Sequence, residues 1–183
     1  MQRKKILSIL NIPFEVIPAD IDEKTIRNEN LATLAEKIAR AKAEKVARDQ
    51  NGIVIAGDTF TECNGKLMEK PKKLEEAKTM LRILAGNKGV NYNGFCYIDR
   101  EKNIDFSTTV EVEFKFRELS EPEIESYVSK FPVLTWAAAY SPAYPYVMTM
   151  IAEMKGSMTG FSHGLPAELV VQYLRKSGFD VSP

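Results

Sequence analysis

The sequence predicts an α/β fold, with a mixed central β-sheet flanked by helices, and three observations predict it. Apolar residues recur at helical spacing in several segments, and short apolar runs alternate with those segments. No low-complexity linker or internal repeat interrupts the order. The 183 residues are 44% hydrophobic, enough to bury a core, and they read as one domain over residues 1–183.

The elements follow in order. Lys4 to Leu10 carries Ile6, Leu7, Ile9 and Leu10 as a helical stripe, stopped by Asn11 and Pro13. Phe14 to Ile17 reads as a short strand, and Asp20, Asp22 and Glu23 as an acidic loop. Leu31 to Asp49 is a long amphipathic helix with Leu34, Ile38, Ala41, Ala43 and Val46 toward the core; Asn51-Gly52 closes it. Ile53 to Ala56 is a continuous apolar strand, buried on both faces, that runs into Gly57-Asp58-Thr59. Phe60 to Met68 folds back as a hairpin across Asn64-Gly65. Pro71 precedes a helix over Leu74 to Leu84, stopped by Gly86. Tyr92 to Asp99, Ser107 to Glu113 and Lys115-Phe116 are strands. Ser120, with Glu123 three residues on, caps a helix that reaches Lys130. Pro132 to Pro145 is irregular, Val147 to Met154 a strand, and Leu165 to Ser177 a final helix with Gly178 just past its end.

Composition removes several function classes. Lys plus Arg and Asp plus Glu are 25 each, so there is no basic surplus for a long nucleic-acid footprint. A small anionic ligand asks only for a local cluster of cations. Cys63 and Cys96 fit no metal-ligand spacing and read as reduced thiols. The single histidine, His163, argues against a His-rich metal site and a Ser-His-Asp triad, and reads as a surface loop residue. No apolar run has the length of a membrane span, and the N-terminal segment does not read as a signal peptide. Neither a G-x-x-x-x-G-K-[ST] loop nor a G-x-G-x-x-G turn is present.

Four places carry residue types suited to chemistry. Asp58 stands at the carboxyl end of the apolar strand, where ligands of open α/β sheets sit. Such an aspartate binds a metal, takes a proton from water, or merely caps a turn. In Glu69-Lys70-Pro71 the proline fixes the backbone, and Lys70 is either a point charge for phosphate oxygens or a solvated surface cation. Asp20, Asp22 and Glu23 place carboxylates suited to a hard divalent cation, although acidic loops are commonly just solvated. Lys42, within Ala39-Arg40-Ala41-Lys42-Ala43, has small neighbours that let a phosphate approach; the plain alternative is a helix-surface lysine. Together, two acidic sites and two lysines would neutralise a triphosphate and a metal, and phosphoryl chemistry needs mainly positioning and charge stabilisation.

The order of these pieces resembles the Maf family. Ala56-Gly57-Asp58-Thr59, Gly65, Lys70-Pro71, Glu76-Ala77, Met80-Leu81 and Leu84-Ala85-Gly86 follow its run of G-A-D-T, turn glycine, K-P, E-A and L-S-G. Pro13 to Ile17 with Asp22-Glu23, and Ala39 to Ala43, match its earlier segments. Ala137-Ala138-Ala139-Tyr140 is similar to its A-G-A-Y, and Gly156-Ser157 with Gly164-Leu165-Pro166 to its G-S and G-L-P. The resemblance implies an inosine triphosphate pyrophosphatase-like fold. It also implies a cytoplasmic enzyme that converts a nucleoside triphosphate to its monophosphate and pyrophosphate with Mg2+ or Mn2+, and that pairs as a homodimer. By the same resemblance Asp58 is the proton acceptor, Glu23 and Asp58 face the metal, Arg3, Lys42 and Lys70 hold phosphates, and Thr59 bears on base choice.

Several positions depart from that pattern. The family opens with a strand and S-x-S-P-R-R. Here Met1 stands at the proline, Gln2 at the first arginine and Arg3 at the second, so the fold is expected to lack the family's first strand and to leave a sheet edge unpaired. Ala143 replaces a glutamine, Gly89 a histidine and Asn93 a threonine. An alanine cannot read a base edge by hydrogen bonds, so base preference does not carry over. These departures leave a second reading open, a weakly active or inactive relative that binds nucleotides or a partner.

Overall fold

Seven α-helices and five strands form in the computed structural model, which describes residues 2–181. In chain order they are α1 (Gln2–Ile9), α2 (Leu31–Asp49), β1 (Val54–Cys63), β2 (Lys66–Leu67), α3 (Leu74–Leu84), β3 (Lys88–Asp99), β4 (Ile104–Phe116), α4 (Glu121–Lys130), α5 (Pro145–Met148), β5 (Ile151–Lys155), α6 (Met158–His163) and α7 (Ala167–Lys176). Met1, expected at the family's proline, lies outside the described residues.

The strands form one sheet in the order β2-β1-β3-β4-β5. The pairings of β1 with β2 and of β4 with β5 are antiparallel. Hydrogen bonds from Thr61 to Asn91 and from Thr59 to Asn93 show that β1 and β3 also run antiparallel. The sheet is therefore antiparallel, where the sequence suggested mixed directions. The reason lies in β2, whose two residues are too few to carry the chain along the sheet. Helix α3 accordingly delivers the chain to β3 near the end where β1 finished. The hairpin turns on Asn64 (φ 53°) and Gly65 (φ 72°), the paired left-handed residues of a type I′ turn. Over residues 54–60 no described strand pairs with the outer edge of β1, the open edge that was expected.

By their contacts the residues fall into two units. The first is Met1–Thr59, Tyr92–Glu111 and Ser157–Pro183; the second is Phe60–Asn91 and Val112–Gly156. In the first unit, alternation along the strands sorts side chains to two faces. Phe95 and Tyr97 join Ile6 of α1 and Val170, Tyr173 and Leu174 of α7, with Ile53 and Ile55 against them. Cys96, Ile98 and Val54 pack instead on Ala39, Ala43 and Ala47 of α2, with Ala56 beside them. The apolar run Ile53 to Ala56 thus meets a core on each face. Each large side chain withdrawn from water contributes about 1.5–3 kcal/mol before entropy is counted.

Helix α2 begins where the Asn30 side chain accepts from the Thr33 N–H at 2.9 Å. It lies very close to the sheet, because a Cβ on Gly94 would strike the Ala35 carbonyl. That approach shifts the buried face from the expected set. Ala35, Ile38, Ala39, Ala43 and Ala47 are buried, while Leu34, Ala41 and Val46 are only half-buried.

In the second unit α3 buries Ala77, Met80, Leu81 and Leu84. Phe116 meets Phe114 and Tyr140 edge to face, and Phe114 and Tyr140 are tilted to each other, with ring centroids 5.1–5.8 Å apart. Three expectations need correction. Phe14 to Ile17 is not a strand: Pro13 and Pro18 flank it and donate no N–H, and no described strand pairs with it. Val147 and Met148 belong to α5, which Pro145 opens, so β5 starts only at Ile151. Ser120 stands at the N-cap of α4 without a side-chain cap bond. No described helix is long and apolar enough to cross a membrane.

Candidate active site

Asp58 and Thr59 are neighbours in the middle of β1, not at a carboxyl end as expected, because the strand continues past them to Cys63; their side chains leave on opposite faces. Asp58 follows Val54 and Ala56 onto the face covered by α2, while Thr59 follows Ile53 and Ile55 onto the face covered by α1 and α7. Each finds a cation there.

On the α2 face, Lys42 Nζ lies 2.8 Å from Asp58 Oδ1 and 2.8 Å from Glu23 Oε1. Lys42 comes within reach because α2 presses its alanines onto β3. Glu23 is placed by a short 3-10 turn, Glu23–Thr25, in which the Asp22 side chain accepts from the Lys24 N–H. The Asp58 side chain is 13% exposed and that of Lys42 18%, against 49% for Glu23. The first two are thus withheld from bulk water, and Glu23 stands at the rim. The Lys42–Glu23 pair, half-exposed at Glu23, contributes little to stability, whereas the Lys42–Asp58 pair is largely buried and each of its charges depends on the other.

On the other face, Arg3 Nε donates to the Gly164 carbonyl at 3.0 Å and Arg3 Nη2 to Thr59 Oγ1 at 3.2 Å. Burial lowers the guanidinium pKa from its usual value, against the opposing pull of Asp58 and then Glu23. Arginine stays charged even so. That pull reaches it across the middle of β1, whose outer edge carries no described strand there. Gly164 ends α6 with φ 64°, and a Cβ there would come within 2.6 Å of Thr59 Oγ1. Glycine is required at this position both for its backbone angle and for the close approach.

A family model of Maf-like proteins matches residues 1–177. The chain belongs to the Maf-like family. It is 34% identical over 182 residues to the dTTP/UTP pyrophosphatase of Geotalea uraniireducens (strain Rf4), covering 97% of this chain and 91% of that protein. It is 31% identical over 182 residues to the dTTP/UTP pyrophosphatase of Thermotoga maritima (strain ATCC 43589 / DSM 3109 / JCM 10099 / NBRC 100826 / MSB8), with 97% and 86% covered. The dTTP/UTP pyrophosphatase of Syntrophus aciditrophicus (strain SB) is 31% identical over 178 residues, again with 97% and 86% covered.

Of the site residues expected in this Maf-like chain, Glu23, Lys42 and Asp58 meet, as do Arg3 and Thr59. Lys70 belongs to the second unit, exposed in the segment after β2. Its neighbour Glu69 accepts at its carbonyl from the Ala138 N–H at 3.1 Å. Ala143 is half-buried in the irregular stretch before α5. Asp20 and Asp22 stay exposed.

No group of three or more His, Cys, Asp or Glu side chains gathers as metal ligands among the described residues. Two carboxylates do gather, those of Glu23 and Asp58. This set fits Mg2+ or Mn2+ in the manner of phosphoryl-transfer sites, where one or two carboxylates share the ion with water and substrate phosphates. His163 ends α6 half-buried rather than in a loop. Ser162 Oγ lies 2.7 Å from its Nδ1, and burial, then Lys5, lowers its pKa.

Two members of the site were not singled out from sequence. Gly164 was seen only as part of a motif. Asn93 was seen only as a replaced threonine, yet it is fully buried beside Thr59. The available signal was an asparagine heading the apolar run Phe95 to Ile98 of β3.

Proposed function

We propose that this Maf-like chain hydrolyses a nucleoside triphosphate to the monophosphate and pyrophosphate, in the cytoplasm and with Mg2+ or Mn2+, at the Glu23–Lys42–Asp58 cluster. The observation that carries the reading is the placement of one ammonium 2.8 Å from two carboxylates, one of them in the middle of β1. The names of the three relatives support the substrate class, dTTP and UTP first.

In this reading water attacks the α-phosphorus and Asp58 takes its proton. Lys42 touches Oδ1, which leaves Oδ2 for that water. The bond from the α-phosphorus to the oxygen bridging to the β-phosphorus breaks, and pyrophosphate departs with that oxygen and its electron pair. Lys42 and Arg3 offset the charge that develops on the phosphate oxygens, the kind of pre-set stabilisation that dominates phosphoryl transfer. Glu23 and Asp58 would hold the divalent ion, which neutralises phosphate charge when bound. Thr59 touches the substrate from the opposite face of β1. Lys70 enters as a further phosphate ligand on its place in the motif alone.

The test is product analysis in 18O-water with a panel of ordinary and modified nucleoside triphosphates. The reading expects pyrophosphate, with the label in the monophosphate. Release of inorganic phosphate, label in pyrophosphate, or no turnover of any nucleotide in the panel would contradict it.

A further inference from the structure

We infer that Asn93 is a positioning residue for the phosphate-binding arginine: it fixes the direction of the Thr59 hydroxyl and, through it, the Arg3 guanidinium. The inference rests on the reading that Arg3 meets the triphosphate.

Three side chains and two carbonyls form one directed chain of hydrogen bonds. Arg3 Nη2 donates to Thr59 Oγ1 at 3.2 Å, and Thr59 Oγ1 donates to Asn93 Oδ1 at 3.2 Å. Asn93 Nδ2 donates to the Val110 carbonyl on β4 at 3.2 Å. Arg3 Nε donates to the Gly164 carbonyl at 3.0 Å.

The directions admit no alternative. A guanidinium has donors only, so Thr59 Oγ1 must accept from it, and the single hydroxyl proton is left for Asn93. A backbone carbonyl only accepts, so Val110 fixes which end of the Asn93 amide is nitrogen. The oxygen therefore faces Thr59. Were that amide reversed, Thr59 would receive two donors and turn its own proton toward Arg3.

Asn93 has no freedom to reverse. It is 0% exposed on β3, and α6 closes over it: a Cβ on Gly160 would lie 3.4 Å from its Nδ2. The order of command runs from the sheet outward, from Val110 to Asn93 to Thr59 to Arg3. An arginine so held spends two of its five N–H groups on Thr59 and Gly164 and has others to offer a phosphate. Asn93 itself is buried away from any substrate, which makes it a positioning residue rather than a catalytic one.

The test uses the full chain, the α,β-methylene analogue of UTP with Mg2+, and the 15N-resolved Arg3 Nε–H signal. Asn93→Leu and Thr59→Val should each weaken analogue binding by about tenfold, the scale of one hydrogen bond to a charged group. The double variant should bind about as the weaker single variant does, because both substitutions cut one path. Arg3 Nε–H should exchange faster with solvent in each. If Asn93→Leu fails to fold, Asn93→Ser carries the same expectations, being polar but too short to reach Thr59 and Val110 together. An Arg3 signal unmoved by the Asn93 variants, unchanged affinity, or losses that multiply in the double variant would overturn the inference. Hydrolysis by the unaltered chain is scored separately. Absent turnover with coupled binding losses sinks the proposed function alone, whereas normal turnover with no response to Asn93 sinks this inference alone.

Discussion

Lys42 stands 2.8 Å from each of two carboxylates, and its neighbours Ala39 and Ala43 are fully buried against β3. A lysine so placed holds Glu23 beside Asp58, although the two are far apart in sequence. Lys42→Met should therefore lower the rate of pyrophosphate release by at least about a hundredfold and also lower the melting temperature, because it leaves the largely buried Asp58 carboxylate without its cation. Steady-state kinetics beside a thermal melt check both parts. Gly164→Ala acts on stability through the backbone instead. Its Cβ would stand 2.6 Å from Thr59 Oγ1 on a backbone at φ 64°, so a loss of about 1–3 kcal/mol in stability is expected, read by urea denaturation. His163 gives a pH effect of defined sign. Burial lowers its folded pKa below the ordinary 6.5, so the unfolded chain binds the proton more readily. The contribution is fully present above about pH 6.5 and is lost as pH falls toward the folded pKa. His163→Gln should flatten the decline of melting temperature between pH 7 and pH 5.

At the scale of elements, the helix-to-sheet spacing decides where the charges fall. Gly94 lets α2 lie directly on β3, and Gly94→Ala would force the Ala35 carbonyl outward and lift Lys42 with it. That single methyl group should cost both stability and turnover. In the second unit, Ala138 (φ 56°) and Ala139 (φ 60°) occupy the left-handed region. A side chain there is strained by about 1 kcal/mol. Ala138→Gly should raise stability by about that amount in a denaturant titration, and an unchanged or lowered midpoint would count against the strain.

Periodicity in the sequence located α3 to the residue, the hairpin at Asn64-Gly65, and the helical stripe of α2. It misjudged which stripe is buried, because the depth of α2 is set by a glycine on another strand. It read Phe14 to Ile17 as a strand, because an apolar run says nothing about whether a partner edge is available. The turn of α5 escaped notice because Pro145 starts a helix inside a run that reads equally well as extended.

For the whole molecule, membership of the Maf-like family and the geometry around Asp58 and Thr59 bear on different questions. The family speaks for the substrate class. The geometry brings together Arg3 with Thr59 and Glu23 with Lys42 and Asp58, the residues that sequence order alone could only nominate. Their types and order were legible in the chain. That Asp58 and Thr59 face opposite sides of the sheet, and that Asn93 stands behind Thr59, follows from strand parity and register, which emerge only once the strands are paired. The account comes down to Asp58 as the group that takes the proton from water. Pyrophosphate release from UTP and dTTP with Mg2+, compared between the unaltered chain and Asp58→Asn, tests this most directly. A fall of at least about a thousandfold with the fold intact is expected; a variant that retains the parent rate would contradict the account.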